Sequence, residues 1–166
     1  MRAQLLNPSL ARHLRMAALL GGLIGSVACA ASPSAPSPAG TAGLDSTLTF
    51  CADEANRYRA SVGLPALGRS SALEAFAAQA AEHDHGVGIP HQFFISTNGG
   101  GVARAENQLL RWRGYGMNEV ITKGMANMWA EGPGGSHYEV LTGSYTEVGC
   151  GVYVNGNEVS ISQDFR

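Results

Sequence analysis

The chain has 166 residues, 45% hydrophobic and only 14% charged, with a formal net charge of −2. That length holds one domain with some chain to spare. Three of the eleven basic residues (Arg2, Arg12 and Arg15) fall in the first thirty positions, which hold no acid, so the remainder carries −5. A balance of that sign argues against nucleic acid as a partner, because neutralising phosphates needs a basic face.

Residues 1–30 read as a secretory signal peptide: a basic start, an apolar run at 16–27, then small residues at Ala28-Cys29-Ala30. Twelve apolar residues are too few for a membrane span, which needs roughly twenty. Cleavage after Ala30 releases a soluble protein. Alternatively Cys29 becomes the lipid-bearing first residue of a lipoprotein, although Ser26 stands where such a site usually has Leu. Residues 31–43 are a Pro/Ser/Ala linker expected to be flexible, and the domain spans 44–166. Either processing route removes or acylates Cys29. Cys51 and Cys150 are left in an oxidising compartment, where a disulfide is the first reading and two separate buried thiols the second.

In the domain, Phe50, Cys51, Ala55, Tyr58 and Val62 fall on one stripe and predict a helix over 46–62, stopped by Gly63. Leu64-Pro65-Ala66-Leu67 reads as a short extended piece. A second helix opens on a capping box, Ser71 with Glu74, and runs through Leu73, Phe76, Ala77 and Ala80 before fraying near 83–86. Residues 86–102 are expected to form a long loop carrying His91 and the run Gly99-Gly100-Gly101. A third helix, capped by Asn118, presents Val120, Ile121, Met125, Met128 and Trp129 and must end by Glu131-Gly132-Pro133. In the tail, Val148, Cys150, Val152 and Val154 alternate with Gly149, Gly151 and Tyr153. Asn155-Gly156 predicts a type I′ turn, and Val159, Ile161, Gln163 and Phe165 alternate on the return. Cys150 shares the face of Val148 and Val152, expected to be the buried one, so a Cys51–Cys150 bridge requires the first helix to cover that face. Helices followed by an antiparallel β-hairpin make an α+β layered domain.

Four residues are candidates for chemistry: His91, Glu106, Glu131 and His137. No spacing among them is a metal motif, since the chain has neither His-x-x-x-His nor Cys-x-x-Cys. His83 and His85, two apart, point to different faces of a helix and read as its polar end. Ser136 beside His137 lacks the strand–turn–helix setting of a serine nucleophile.

The order of these residues carries more than their spacing. Asn56-Arg57-Tyr58-Arg59 is followed by Gly63-Leu64-Pro65-Ala66-Leu67, then by Ala105-Glu106-Asn107, Trp129-Ala130-Glu131, His137-Tyr138 and Tyr145-Thr146-Glu147-Val148-Gly149-Cys150-Gly151. Over residues 50–166 the chain resembles the CAP superfamily (cysteine-rich secretory, antigen 5 and pathogenesis-related 1 proteins) in its compact bacterial form. Ala105, where the family has Gly, is a departure. The resemblance implies a three-layer α-β-α sandwich with two His and two Glu around a central cleft: His91, Glu106, Glu131 and His137. His85 is the alternative to His91, which is preferred because it stands clear of the helix and precedes Phe93-Phe94. Such a cluster suits weakly held Zn²⁺ or another divalent cation on His91 and His137, with no cofactor required. The implied function is a cleft-binding module outside the cell, secreted or attached to the envelope. Its partner is a lipid or sterol-like ligand, a metal or an extracellular protein, and it meets a membrane only through the signal peptide or a lipid on Cys29. The alternative is a metal-assisted hydrolase of peptides or esters using the same cluster. A purely structural envelope protein would need neither.

Overall fold

The alternation at the end of the chain builds the centre of the fold. In the computed structural model, which describes residues 39–166, β3 (Glu147–Asn155) and β4 (Glu158–Phe165) form an antiparallel pair. The signal peptide, Cys29 and the first part of the linker lie outside the described residues. Helix α1 (Ala39–Ser61) starts well before residue 46, followed by β1 (Gly68–Arg69) and α2 (Ser71–Val87). The segment expected to be a loop holds α3 (Gln92–Thr97) and a 3₁₀ turn at Asn98–Gly101. Then come β2 (Ala105–Arg113), α4 (Met117–Ala130) and α5 (Ser136–Leu141). The sheet runs β1-β3-β4-β2, with β1 parallel to β3 and the other pairs antiparallel. β4 is thus an inner strand, buried from Val159 to Phe165.

The two faces of the sheet differ in chemistry. Val148, Cys150, Val159, Ile161 and Phe165 pack against Ala52 and Ala55 of α1, Val120, Ile121, Met125 and Met128 of α4, and Leu141 of α5. Cys51 and Cys150 are joined across this layer, Cα atoms 6.4 Å apart. By strand alternation the opposite face carries Gly149, Gly151, Ser160, Ser162, Asp164, Glu106 and Gln108. It too is buried, under α2. A Cβ on Gly151 would lie 2.1 Å from the backbone of Ala77 and Ala78, and one on Gly149 2.3 Å from the amide of Glu74. Missing side chains therefore let a helix rest on the strand, and the result is an α-β-α sandwich of the α+β class. Gly151→Ala should cost about 1–3 kcal/mol, because backbone must move to admit the methyl. Urea unfolding checks this; an unchanged midpoint would mean that α2 lifts off at no cost.

Local signals give way in four places. Residue Ser70 precedes the first turn of α2 and makes no side-chain cap, while Glu74 pairs with Arg69 at 2.6 Å instead of closing a capping box with Ser71. Rather than fraying, α2 holds to Val87, because His85 is 3% exposed, its Nδ1 2.9 Å from Ser160 Oγ. Gly116, not Asn118, stands at the N-cap of α4. In the hairpin Asn155 pairs with Glu158, so the turn is Gly156-Asn157; only Gly156 has positive φ (61°), the pattern of type II′ rather than I′.

Two residues of the first motif act as internal clamps. Asn56 donates to Leu67 O at 3.0 Å and accepts from its amide at 2.7 Å, fixing the extended piece against α1. Arg59, 1% exposed, donates to Pro65 O (3.1 Å), Leu141 O (2.9 Å) and Gly143 O (2.9 Å), joining α1 to the segment after α5.

Candidate functional site

The four candidates form two histidine–glutamate pairs beside the edge strand β2. His91 enters from the loop between α2 and α3, and its backbone sits at φ 61°, in the left-handed region. Its amide donates to Gln108 Oε1 at 3.0 Å, and its Nδ1 lies 2.9 Å from Glu106 Oε1. α3 is held behind it by Phe93 and Phe94, whose rings lie 5.3 and 6.4 Å from that of Phe76 on α2.

The second pair lies where α4 gives way to α5. Glu131 receives the His137 amide at Oε2 (3.0 Å) and faces His137 Nδ1 at Oε1 (2.5 Å). Between them the chain folds tightly over Glu131: a Cβ on Gly135 would lie 2.3 Å from that of Glu131. Trp129 stacks on Tyr58 (5.0 Å) and meets Tyr138 (4.7 Å), which ties α4 to α1 and α5. Asn107 Nδ2 donates to His137 O at 3.2 Å. Glu106 and Asn107 are consecutive on a strand and face opposite ways, so β2 anchors one pair from each face.

The electrostatics of the pairs differ. Burial raises the Glu106 carboxyl above its ordinary range, against the opposing pull of His91. The hydrogen bond from His137 holds the exposed Glu131 carboxyl below its ordinary range. A carboxylate only accepts, so the Nδ1 facing it is the donor, and in the neutral ring Nε2 keeps its lone pair, directed away from the carboxylate. That is the tautomer a metal-binding histidine adopts when a carboxylate orients it. The donor chemistry fits a divalent ion. The number of donors fits only a weak site, since among the described residues no group of three or more His, Cys, Asp or Glu is placed to hold a metal.

His85, the alternative to His91, lies inside the domain against Ser160 and Tyr153, its Nε2 3.5 Å from Glu158 Oε2. His83 packs on Phe93 and sets its Nδ1 2.9 Å from Asp84 Oδ1. Sequence reading passed over Asp84, Gln108 and Asp164. Gln108 links the His91 loop to Asp84 (3.0 Å) and Ser162 (2.9 Å). Two signals pointed to this group. Asp84 continues the stripe of Leu73, Ala77 and Ala80, where an acid is out of place, and Gln108 shares the face of Glu106 on β2.

Strand β2 carries a further irregularity. Leu110 and Arg111 together face Ser160 in a bulge, and Arg111 takes a positive φ of 53°. This aims its guanidinium at the end of α2, where it donates to His85 O (2.8 Å) and Gly86 O (3.1 Å). No helix among the described residues is long and apolar enough to cross a membrane.

Comparison with known proteins agrees with this architecture. None of the curated proteins matches the chain. Among solved structures, a cysteine-rich secretory protein of Staphylococcus aureus is similar, with a TM-score of 0.50 at 17% identity, over 74% of this chain and 39% of that one. An outer surface protein of Borrelia burgdorferi gives a TM-score of 0.49 at 17% identity, over 74% of this chain and 94% of that one. This chain therefore spans well under half of the staphylococcal protein, and at 17% identity its likeness to that protein is one of fold. The model of the cysteine-rich secretory protein family matches residues 52–165, nearly all of the described domain. The chain belongs to the cysteine-rich secretory protein (CAP) family.

Proposed function

We propose that this protein is an exported binding module in which each of the two histidine–glutamate pairs can hold a divalent cation loosely and presents it, beside strand β2, to a small ligand or partner protein outside the cell. The observation that supports this is the shared state of His91 and His137, each with Nδ1 on a carboxylate and Nε2 free. A bound cation would supply Lewis acidity and a fixed positive charge. The chain's own residues orient: Glu106 and Glu131 fix the rings, Gln108 holds the His91 backbone, and Asn107 holds that of His137. The disulfide and the signal-like first thirty residues support a site of action in the secreted or envelope compartment.

Calorimetric titration of the exported protein with Zn²⁺ tests the reading. His137→Ala should weaken binding at least about tenfold with the fold intact, because the ring contributes little to the core. Equal affinity in the two proteins would remove the metal from this account. Metal-assisted hydrolysis is the second reading, with Glu106 beside His91 as its candidate base. It requires Zn²⁺-dependent turnover of a generic ester or peptide that Glu106→Gln abolishes.

A further inference from the structure

Three carboxyl groups enter the layer between the sheet and α2: Asp84 from the helix, Glu106 from β2 and Asp164 from β4, each at most 7% exposed. Hydrogen-bond donors are shared among them unequally. Asp84 faces three: His83 Nδ1 (2.9 Å), the Phe93 amide (2.9 Å) and Gln108 Nε2 (3.0 Å). Glu106 has His91 at Oε1 and no donor at Oε2, and Asp164 has none at either oxygen. Glu106 and Asp164 lie directly opposite in the β2–β4 register. Residues so opposed on one face bring their Cβ atoms within about 4.5–5.5 Å. On its other side Asp164 pairs with Gly149, which offers no side chain and lies beneath the α2 backbone.

Among the described residues no cation pairs with Asp164. From α2 the titratable groups on this side are Glu74, engaged with Arg69, His83, engaged with Asp84, Asp84 itself, and His85, engaged with Ser160 and Glu158. β2 brings Glu106, with His91 beyond it and the exposed Arg104 two residues before; β3 brings Glu147 and Tyr153 on either side of the glycines at 149 and 151; and Arg166, two residues past Asp164, is engaged with Glu147 and Ser70. Two carboxylates side by side and buried, with His91 and the Ser162 hydroxyl as the donors near Glu106 and none at Asp164, would both be charged where water cannot reach. A single proton held between them relieves both the missing donor and the repulsion.

We propose that Asp164 keeps its proton at neutral pH and donates it in a hydrogen bond to Glu106 Oε2, so that His91, Glu106 and Asp164 form one chain with Asp164 as its buried positioning residue. Glu106 is then an anion with a donor on each oxygen, fixed from inside by Asp164 and from outside by His91. Burial, and next the charge of Glu106, push the Asp164 carboxyl up to about 9, in accord with this placement. The role in orienting His91 for a ligand rests on the binding reading above; the placement of the proton does not.

The test uses carboxyl NMR signals of the exported wild-type protein together with two variants. The Asp164 carboxyl carbon should keep its protonated shift from pH 5 to pH 8. The native state then holds a proton that the unfolded chain loses above about pH 4, so stability falls as pH rises through that window. Asp164→Asn retains a donor but cannot ionise. Its melting temperature should gain on wild type by about 4 °C per pH unit between pH 5 and 8. Asp164→Leu should show the same pH slope from a lower starting stability than Asp164→Asn, because Glu106 Oε2 is left without that donor. An Asp164 carbon that titrates near pH 4, or a stability gap between Asn variant and wild type that does not change with pH, would overturn the proposal. The carbon signal and the pH slope need no metal, so they decide the proton's position whether or not Zn²⁺ binds.

Discussion

Replacing Cys51 and Cys150 together by alanine should lower stability by about 3–5 kcal/mol. The bridge joins residues 99 positions apart, and for a closed loop of about 100 residues the chain-entropy model gives about 4.7 kcal/mol. Both cysteines are buried, at 0% and 1% exposure, and Gln163 Nε2 lies 3.3 Å from Cys51 Sγ. Reductant therefore reaches the sulfurs only when the layer between α1 and β3 opens. Mild reductant should leave the native protein oxidised, and the same reductant during unfolding should shift the midpoint as far as the double substitution does. Against a total of about 5–15 kcal/mol for a typical domain, the variant would be close to unfolding at growth temperature. A loss under about 1 kcal/mol would show that the denatured chain already holds these segments together.

Arg59→Ala should cost about 3–5 kcal/mol, measured by urea unfolding. The guanidinium is buried without an acidic partner, and desolvation lowers its pKa from the ordinary value. Three backbone carbonyls spend their lone pairs on it, those of Pro65, Leu141 and Gly143. Truncation strands acceptors at about 1–3 kcal/mol for each one that water cannot reach. Arg59→Lys should rescue little, because a compact ammonium on a flexible stem cannot reproduce a planar fork aimed at two segments of chain. Wild-type stability in the lysine variant would mean that charge, not geometry, holds these segments. Since Leu141 ends α5, the alanine variant should also loosen the His137 end of the site, seen as faster amide exchange across residues 136–141.

What the sequence conveyed, and what it withheld, follows from how local each cause is. The alternation of Val148, Cys150 and Val152 is read within one strand, and it led to the apolar face, the covering helix and the Cys51–Cys150 bridge. The other face escaped that reasoning. Gly149, Gly151, Ser160 and Ser162 look like solvent-facing positions until α2 is laid on them, and the missing Cβ atoms let it lie there. His85 looked like a polar helix end for the same reason, since its partner Ser160 is 75 residues away. The local cap signals at Ser71 and Asn118 gave way to Ser70 and Gly116, neither of which makes a side-chain cap. In the candidate site the order of the motifs was enough to name two histidines and two glutamates, and the structure sets each histidine against one glutamate. Of the residues behind them, Gln108 could have been found from the face it shares with Glu106, whereas the meaning of Asp164 depends on which strand lies opposite.

The position of β4 also sets a timetable. Both β2 and the long strand β3 find their antiparallel partner only in β4, the last of the three to be synthesised. While residues 158–165 are still unmade, β2 has no strand to pair with, and Asp164 and Gln163 are not yet there to meet Glu106 and Asn107. The nascent chain can form helices and the short β1–β3 pairing, but β2 waits for β4, so that contact is long-range and late. A ribosome-bound or translocating chain of this kind cannot complete its sheet until residues 158–165 arrive.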